Sequence, residues 1–343
     1  MVNIIKQDLS EIKKNLIPFE DKIENKTFLV TGGAGFIGSW FCDILNEFNA
    51  NIICVDNVIS GSQKNIEHLR NNNNFKFVEK DVCEFDTKQK IDFIVHMASI
   101  ASPLVCQAHP IKTLDANVIG IKRMLELAKR NEINGLLFTS TSEVYGDPLE
   151  EMLPTPETYY GFVNSFGPRC MYDEGKRCAE AYCYSFFNKF RLPIRIARIF
   201  NTYGPRLDIK SPSKYGRVVI KFIYQSLNNQ PFTIYGDGTQ TRSFCYINDQ
   251  IIGLFKLLLT PKMDGKIINI GSDHEITILE LAKRIKKLNN SISDFTFSPL
   301  PKDDPKRRRP NIIKAKQLLK WEPIINLDDG LKRTVEWVKS LQK

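Results

Sequence analysis

The sequence predicts an α/β protein in which a doubly wound parallel sheet is combined with a smaller α/β lobe near the C-terminus. Two observations support this fold class. Short apolar runs alternate with helical patterns up to about residue 200, and Pro, Gly and Tyr then interrupt the pattern between residues 201 and 240. Buried strands that alternate with helices form parallel sheets covered on both faces. A length of 343 residues corresponds to about two domains.

The elements follow in order from this pattern. An amphipathic helix is expected at residues 4–16, within an N-terminal extension of residues 1–25. Apolar runs predict buried strands at residues 27–31, 52–55, 75–78, 93–96, 136–139, 194–199 and 267–270. Helices are expected at residues 40–48, 111–130 and 172–190. We predict a sheet domain of residues 26–200 with a returning segment around 243–270, and a lobe of residues 201–242 and 271–343.

A glycine-rich turn joins the first predicted strand to a helix. Gly32, Gly35 and Gly38 allow a tight turn in which backbone N–H groups approach a pyrophosphate at the helix N-terminus. Asp56 ends the second predicted strand, where a carboxylate accepts from a ribose 2′-hydroxyl and repels a 2′-phosphate. The sheet domain is therefore predicted to be of the Rossmann type and to bind NAD rather than NADP. The ends of the next strands are expected beside the same dinucleotide, at Asp81, Met97, Ala98 and Ser99.

Tyr172 and Lys176 are four residues apart in a predicted helix, so both lie on one face. A tyrosine with a pKa near 10 is a poor base at neutral pH, and a pKa of about 7 requires about 4 kcal/mol. A lysine ammonium and a cationic nicotinamide are the expected sources of that shift. We predict that Tyr172 is a catalytic base supported by Lys176.

Polar residues follow the predicted strand at 136–139. Thr141, Ser142 and Glu143 lie where ligands bind in parallel sheets, at the carboxyl end of a strand. Thr141 is predicted to hold a substrate oxygen against Tyr172. Glu143 is predicted to act as an acid or a base.

Charge and cysteine content restrict the function classes. The formal net charge of +9 suits either a nucleic-acid or anionic-membrane surface or an enzyme for acidic small molecules, and no nucleic-acid motif supports the first. The eight cysteines form no C-x-x-C pair and no zinc pattern, so we expect buried free thiols, no metal and a cytoplasmic location. No apolar run has the length of a membrane span.

Several strings carry a more specific resemblance. They are TSTSEVYGDP at 139–148, GPR at 167–169, YDEGKR at 172–177, ARIFNTYGPR at 197–206, GRVV at 216–219, YGDG at 235–238, QTRSF at 240–244, DDP at 303–305 and RRRP at 307–310. From Thr27 to about Val338 the chain resembles the extended short-chain dehydrogenase/reductase family of nucleotide-sugar enzymes. Within that family it is most similar to the branch of UDP-glucuronate decarboxylases.

The resemblance implies a reaction. Tyr172 takes the proton of the sugar 4-hydroxyl while NAD accepts hydride from C4, and the resulting β-keto acid loses CO₂. Protonation at C5 and return of the hydride give UDP-xylose. The resemblance places Thr141, Glu143 and Arg308 around the reacting centre, and Asn201, Arg217 and Arg242 on the uridine diphosphate.

The resemblance also implies further binding residues. For the cofactor they are Phe36, Ile37, Asn57, Ser60, Gly61, Val82, Asn117, Thr139 and Thr202, together with Tyr172 and Lys176. For the substrate they are Ser102, Thr141, Glu143, Val218, Tyr235 and Arg308.

One residue separates branches of the family, and several depart from the branch. The family's 4,6-dehydratases carry Asp at the position of Ser142. Beside a substrate carboxylate, an Asp would be repelled by about 4 kcal/mol, which a serine avoids. The departures are Cys106 in place of Tyr, Phe162 near a usual Asn, Ser62 and Gln63 in place of Arg-Lys, a longer loop at 207–215, and the N-terminal extension.

Because of these departures, four alternative functions are kept. They are a UDP-glucuronate 4-epimerase, a decarboxylase that releases the 4-keto pentose, a 4,6-dehydratase and a non-catalytic NAD-binding protein. The resemblance and the apolar positions of residues 111–130 and 172–190 predict a homodimer joined through a four-helix bundle. We expect no nucleic-acid, membrane or metal partner.

Overall fold

The computed structural model describes residues 3–207, 217–301 and 303–342, and its strands are mostly short and buried. In chain order they are β1 (Thr27–Thr31), β2 (Asn51–Asp56), β3 (Phe75–Glu79), β4 (Phe93–His96), β5 (Gly135–Thr141), β6 (Ile194–Ile199), β7 (Thr202–Tyr203), β8 (Phe232–Tyr235), β9 (Thr241–Ser243), β10 (Cys245–Tyr246), β11 (Lys266–Ile270), β12 (Glu275–Thr277) and β13 (Phe295–Ser298).

The helices separate the strands as the sequence predicts. They are α1 (Asn3–Leu16), α2 (Phe36–Glu47), α3 (Pro103–Ala108), α4 (Pro110–Asn131), α5 (Cys170–Phe190), α6 (Val218–Leu227), α7 (Ile247–Leu259), α8 (Ile278–Leu288), α9 (Ile313–Leu319) and α10 (Leu327–Ser340). Helix α2 begins four residues earlier than expected, because its first turn follows directly on the glycine at position 35.

Seven strands form one sheet in the order β11-β6-β5-β4-β1-β2-β3, with every neighbouring pair parallel. The predicted doubly wound fold is therefore confirmed. The chain leaves β1 toward β2 and β3 on one side and returns through β4 on the other. The carboxyl ends of β1 and β4 form the switch point at which such sheets bind ligands.

The lobe lies over that edge of the sheet and contains three small strand pairs. Strand β7 pairs with β10 and β8 with β13 in parallel, whereas β9 and β12 are antiparallel. Strand β11 pairs with β6 at the edge of the large sheet, so the chain does return to the sheet before residue 271. The domain boundaries given above stay a prediction.

Helix α1 is packed into the molecule rather than extended from it. Ile12 and Leu16 are fully buried among the core residues. The buried carboxylate of Asp8 accepts a hydrogen bond from the Tyr246 hydroxyl at 2.7 Å and pairs with Arg333. The N-terminal extension is thereby joined to the β7–β10 pair and to α10.

The described residues hold neither a membrane-spanning helix nor a cluster of metal ligands. Within residues 3–207, 217–301 and 303–342, no helix is both long and apolar enough to cross a membrane. The same residues contain no cluster of three or more His, Cys, Asp or Glu side chains that could hold a metal ion.

Candidate active site

One cleft of about 1390 Å³ runs along the carboxyl ends of β1, β2, β4, β5 and β6 and is bounded on its other side by the lobe. A cleft in this position is expected of an open α/β sheet. Most of the predicted cofactor residues and most of the predicted substrate residues line it.

The turn between β1 and α2 has no room for side chains. Gly32 has φ +73°, and a Cβ there would lie 2.7 Å from the Met97 carbonyl carbon. A Cβ on Gly38 would lie 2.2 Å from the Gly32 carbonyl oxygen. Gly35 precedes α2, and no side chain caps its first turn. The first-turn N–H groups of α2 and the positive end of its dipole therefore face the cleft, which fits a dinucleotide pyrophosphate.

Asp56 lies at the end of β2, beside this turn. Its Oδ2 accepts from the Ala34 N–H at 3.0 Å and its Oδ1 from the Val58 N–H at 2.8 Å. Burial raises the pKa of the carboxyl above its ordinary value, against the opposing effect of these hydrogen bonds. Asp56 thus orders the glycine turn and also lines the cleft, where a ribose hydroxyl could donate to it.

Two predicted cofactor residues lie behind the cleft wall. The Asp81 carboxylate accepts from the Asn57 amide at 3.0 Å, and the fully buried Asn117 accepts from the Ser99 hydroxyl at 2.8 Å. Each therefore supports a residue that does line the cleft. The remaining members of the predicted set line it directly, namely Phe36, Ile37, Asn57, Ser60, Gly61, Val82, Met97, Ala98, Ser99, Thr139 and Thr202.

Tyr172 and Lys176 face the cleft from α5, as the spacing predicts. Lys176 Nζ lies 5.9 Å from the centroid of the Tyr172 ring and donates to the Thr139 carbonyl at 2.8 Å. Burial lowers the pKa of Lys176 to about 7. Burial also raises the pKa of Tyr172 above its ordinary value, and a hydrogen bond with the Thr141 hydroxyl only partly opposes this.

The Lys176 ammonium is directed at a backbone carbonyl, and burial favours its neutral form. The expectation that Lys176 and a cationic nicotinamide lower the pKa of Tyr172 stays a prediction.

Glu143 lies in the short 3₁₀ turn that follows β5, between two arginines. Thr141 caps this turn by accepting from the Glu143 N–H at 3.2 Å. One carboxylate oxygen of Glu143 pairs with Arg308 and the other with Arg169. Burial disfavours ionisation, but Arg308 and Arg169 outweigh it and hold the pKa of Glu143 below its ordinary value.

Arg308 lies behind the cleft wall in this structure, and its contact with substrate stays a prediction. It is 2 % exposed. Its guanidinium donates to the Ser142 hydroxyl at 3.2 Å and to the Gly146 carbonyl at 2.8 Å, besides pairing with Glu143. Arg308 therefore acts on the cleft through Glu143 and Ser142.

Sequence reasoning missed two members of this cluster. Arg169 links Glu143 to Asp173, whose Oδ2 lies 3.5 Å from the Arg169 Nε. Both residues line the cleft, and burial together with the charge of Glu143 raises the pKa of Asp173 to about 7. Both lie inside strings quoted above, but their spacing alone gave no sign that they face Glu143.

The predicted substrate residues line the far end of the cleft. Asn201 donates to the Ser243 carbonyl at 3.2 Å, and Arg242 pairs with Asp304 at 2.8 Å. The first contact ties β9 to the segment after β6, and the second lies within the lobe. The full set on this side comprises Ser102, Asn201, Arg217, Val218, Tyr235 and Arg242.

The departures noted in the sequence fall in different places. Cys106 and Ser62 line the cleft, and burial raises the pKa of the Cys106 thiol to about 12. Gln63 bonds with Glu79 outside the cleft, and Phe162 is exposed to solvent. Of the longer loop, only its first residue is described, because residues 208–216 lie outside the described ranges.

A glycine-lined dinucleotide turn, an acid at the end of β2 and a Tyr–Lys pair on one cleft define a protein of the short-chain dehydrogenase/reductase class. The chain belongs to the NAD dependent epimerase/dehydratase family, whose family model matches residues 28–271. Its cofactor is accordingly NAD.

Curated relatives and solved structures agree with this placement. UDP-glucuronic acid decarboxylase 1 of Danio rerio is 45 % identical over 94 % of this chain and 74 % of its own length. UDP-glucuronic acid decarboxylase 4 of Arabidopsis thaliana is 45 % identical over 92 % of this chain and 69 % of its own length. The structure is similar, at a TM-score of 0.81 and 30 % identity, to UDP-glucuronic acid 4-epimerase from Bacillus cereus in complex with UDP-glucuronic acid and NAD, covering 92 % of this chain and 99 % of that one.

Proposed function

We propose that this protein decarboxylates UDP-glucuronate to UDP-xylose through a 4-keto intermediate, with NAD regenerated in each cycle. The observation that carries the proposal is the cluster of Glu143, Arg169 and Arg308 beside Tyr172. Two arginines at the sugar end of the cleft offset the charge of a substrate carboxylate as well as that of Glu143. Similarity to decarboxylases at 45 % identity supports the same choice.

The residues around the glycine turn fit a bound NAD. The N–H groups at the start of α2 would hold the pyrophosphate, and Asp56 would accept from a ribose hydroxyl. When bound, NAD supplies a hydride acceptor and donor for C4 of the sugar. Lys176, which donates to the Thr139 carbonyl, fixes the face of α5 that meets the cofactor side of the cleft.

The first proton transfer falls to Tyr172. Tyr172 and Thr141 both line the cleft, and the Thr141 hydroxyl favours the ionised phenol, against the larger effect of burial on its pKa. Tyr172 accepts the proton of the 4-hydroxyl as the hydride leaves C4. The phenol later returns that proton to the oxygen on C4 when the hydride comes back.

Loss of CO₂ follows from the 4-ketone. The C5–C6 bond breaks, its electron pair moves into an enolate across C5 and C4, and C5 then takes a proton that derives from solvent. Glu143 is ionised between Arg169 and Arg308, so it can pass on a proton only after first accepting one. Ser142 accepts a hydrogen bond from Arg308. As a neutral side chain, it avoids the repulsion that an Asp at this position would exert on the substrate carboxylate.

We also propose a homodimer joined through α4 and α5. Apolar side chains on these helices face solvent in the single chain, among them Ile111 at 69 % exposure and Tyr184 at 69 %. A bundle of the two helices with their copies would cover them. A reducing compartment such as the cytoplasm is proposed because all eight cysteines are free thiols.

Incubation with UDP-glucuronate, without added cofactor, tests the reaction. Mass spectrometry should show UDP-xylose and an equal amount of CO₂, and Tyr172→Phe should show neither. An epimerised UDP-hexuronate would favour the 4-epimerase, and a released 4-keto pentose would favour the second kind of decarboxylase. Absence of any turnover, with NAD still bound, would favour a non-catalytic role.

A further inference from the structure

Lys221 is a buried cation that the reaction above does not use. It lies in the first turns of α6 and is 3 % exposed. Among the described residues, its Nζ has no hydrogen-bond partner. The ammonium lies over the face of the Tyr235 ring, whose centroid is 4.5 Å from Nζ.

An unpartnered ammonium inside a protein is costly. Burial lowers the pKa of Lys221 to about 8, and among the described residues no carboxylate offsets the loss of hydration. A cation–π contact recovers only part of that cost. A methionine would fill the same space without the cost of burying a charge. The position therefore points to an anion that completes the site.

The surroundings of Lys221 are those of an anion site. Lys221, Arg217 and Arg242 all line the cleft, and Arg217 is four residues before Lys221 at the start of α6. No side chain caps the first turn of α6, so its N–H groups and the positive end of its dipole add to the field. Long helical side chains lean toward the helix N-terminus, which brings the Lys221 ammonium toward these groups.

We propose that the Lys221 ammonium binds a phosphate oxygen of the nucleoside diphosphate, together with Arg217 and the start of α6. The inference rests on the proposed nucleotide-sugar substrate. It adds a residue that sets the preference for a diphosphate over a monophosphate or a free nucleoside. Tyr235 holds the ammonium in place from the opposite side.

The test is calorimetric titration of the NAD-loaded protein with UDP, UMP and uridine, which needs no turnover. Lys221→Met should weaken UDP binding at least about tenfold, as expected for a lost charge-assisted hydrogen bond. It should weaken UMP binding less and leave uridine binding unchanged. Thermal stability should not fall, because the variant removes a buried charge. The matched control is Lys286→Met, whose ammonium also lies over an aromatic ring, 5.2 Å from the Phe295 centroid, but outside the cleft.

Three outcomes are distinguishable. Selective loss of UDP affinity in Lys221→Met supports the inference even if the wild-type protein does not decarboxylate UDP-glucuronate. Unchanged UDP affinity would overturn it and make Lys221 a structural cation. Equal loss of UDP and uridine affinity would overturn it in favour of a contact with the base.

Discussion

Arg308 and Glu143 form an ion pair that joins the C-terminal part of the chain to the end of β5. Arg308 also donates to the Ser142 hydroxyl and to the Gly146 carbonyl. Three interactions therefore attach its side chain to the loop after this strand. The sugar end of the cleft is therefore complete only when the lobe is in contact with the sheet. Glu143, which faces the cleft, and Arg308, which keeps it ionised, come from different parts of the molecule.

This pairing predicts the behaviour of two variants. Arg308→Ala and Glu143→Gln should lower the rate of CO₂ release by about a hundredfold or more, while UDP-glucuronate still binds. Reduced cofactor should accumulate on at least one of them, because the first hydride transfer does not use this pair. Absorbance during a single turnover measures it. Arg307→Ala is the control, since Arg307 pairs with Glu275 and Glu150 instead. Near wild-type turnover in both variants would refute the assigned roles.

Tyr172→Phe should abolish an earlier step. Without the phenol, both reduction of the cofactor and release of CO₂ should fall about a hundredfold to ten-thousandfold. Tyr160→Phe, whose side chain is 90 % exposed and lies outside the cleft, should retain full activity. If Tyr172→Phe still reduced its cofactor at the wild-type rate, another base would have to be sought.

The glycine turn predicts a tightly bound, specific cofactor. Denaturing the purified protein should release NAD and not NADP, because Asp56 disfavours a 2′-phosphate. Gly38→Ala should emerge from purification with little or no dinucleotide, since its Cβ would lie 2.2 Å from the Gly32 carbonyl oxygen. Chromatography of the released nucleotide decides both points. Recovery of NADP alone, or full NAD content in Gly38→Ala, would contradict the account.

Asp173 predicts how stability depends on pH. Its pKa, raised to about 7 mainly by burial, means that the folded protein binds this proton more tightly than the unfolded chain does. Stability from this group therefore falls as pH rises from about 4 to about 7. Asp173→Asn should remove this pH-dependent loss of stability. The Tm of the variant minus that of the wild type should therefore be several degrees larger at pH 8 than at pH 4. Thermal melts of both proteins measure this, with the exposed Asp294→Asn as control. A pH-independent difference would count against it.

The parts of the site that the sequence predicts are those whose residues are close together in the chain. Gly32, Gly38 and Asp56 belong to one β–α–β unit, and Tyr172 and Lys176 to one helix, so local spacing places them correctly. Seven strands follow from apolar runs because a parallel sheet buried on both faces has no polar alternation to obscure them.

The parts that it does not predict depend on distant contacts. Arg169, Asp173 and Glu143 form one charged cluster, but the clustering exists only after β5, α5 and the C-terminal segment come together. For the same reason, nothing in the sequence indicates that Arg308 is buried behind the cleft wall or that Lys176 donates to the Thr139 carbonyl. Lys221 carries no signal in sequence, because its significance lies in its burial without a hydrogen-bond partner among the described residues.

Conversion of UDP-glucuronate labelled with deuterium at C4 tests the central claim most directly. The account predicts that UDP-xylose forms without added NAD and keeps the deuterium at C4, because the hydride removed by the bound cofactor is the one returned. Retention of the label in a pentose product requires oxidation, loss of CO₂ and reduction within one closed cleft. Loss of the deuterium to added cofactor or to solvent, or a product that keeps its carboxylate, would contradict the account.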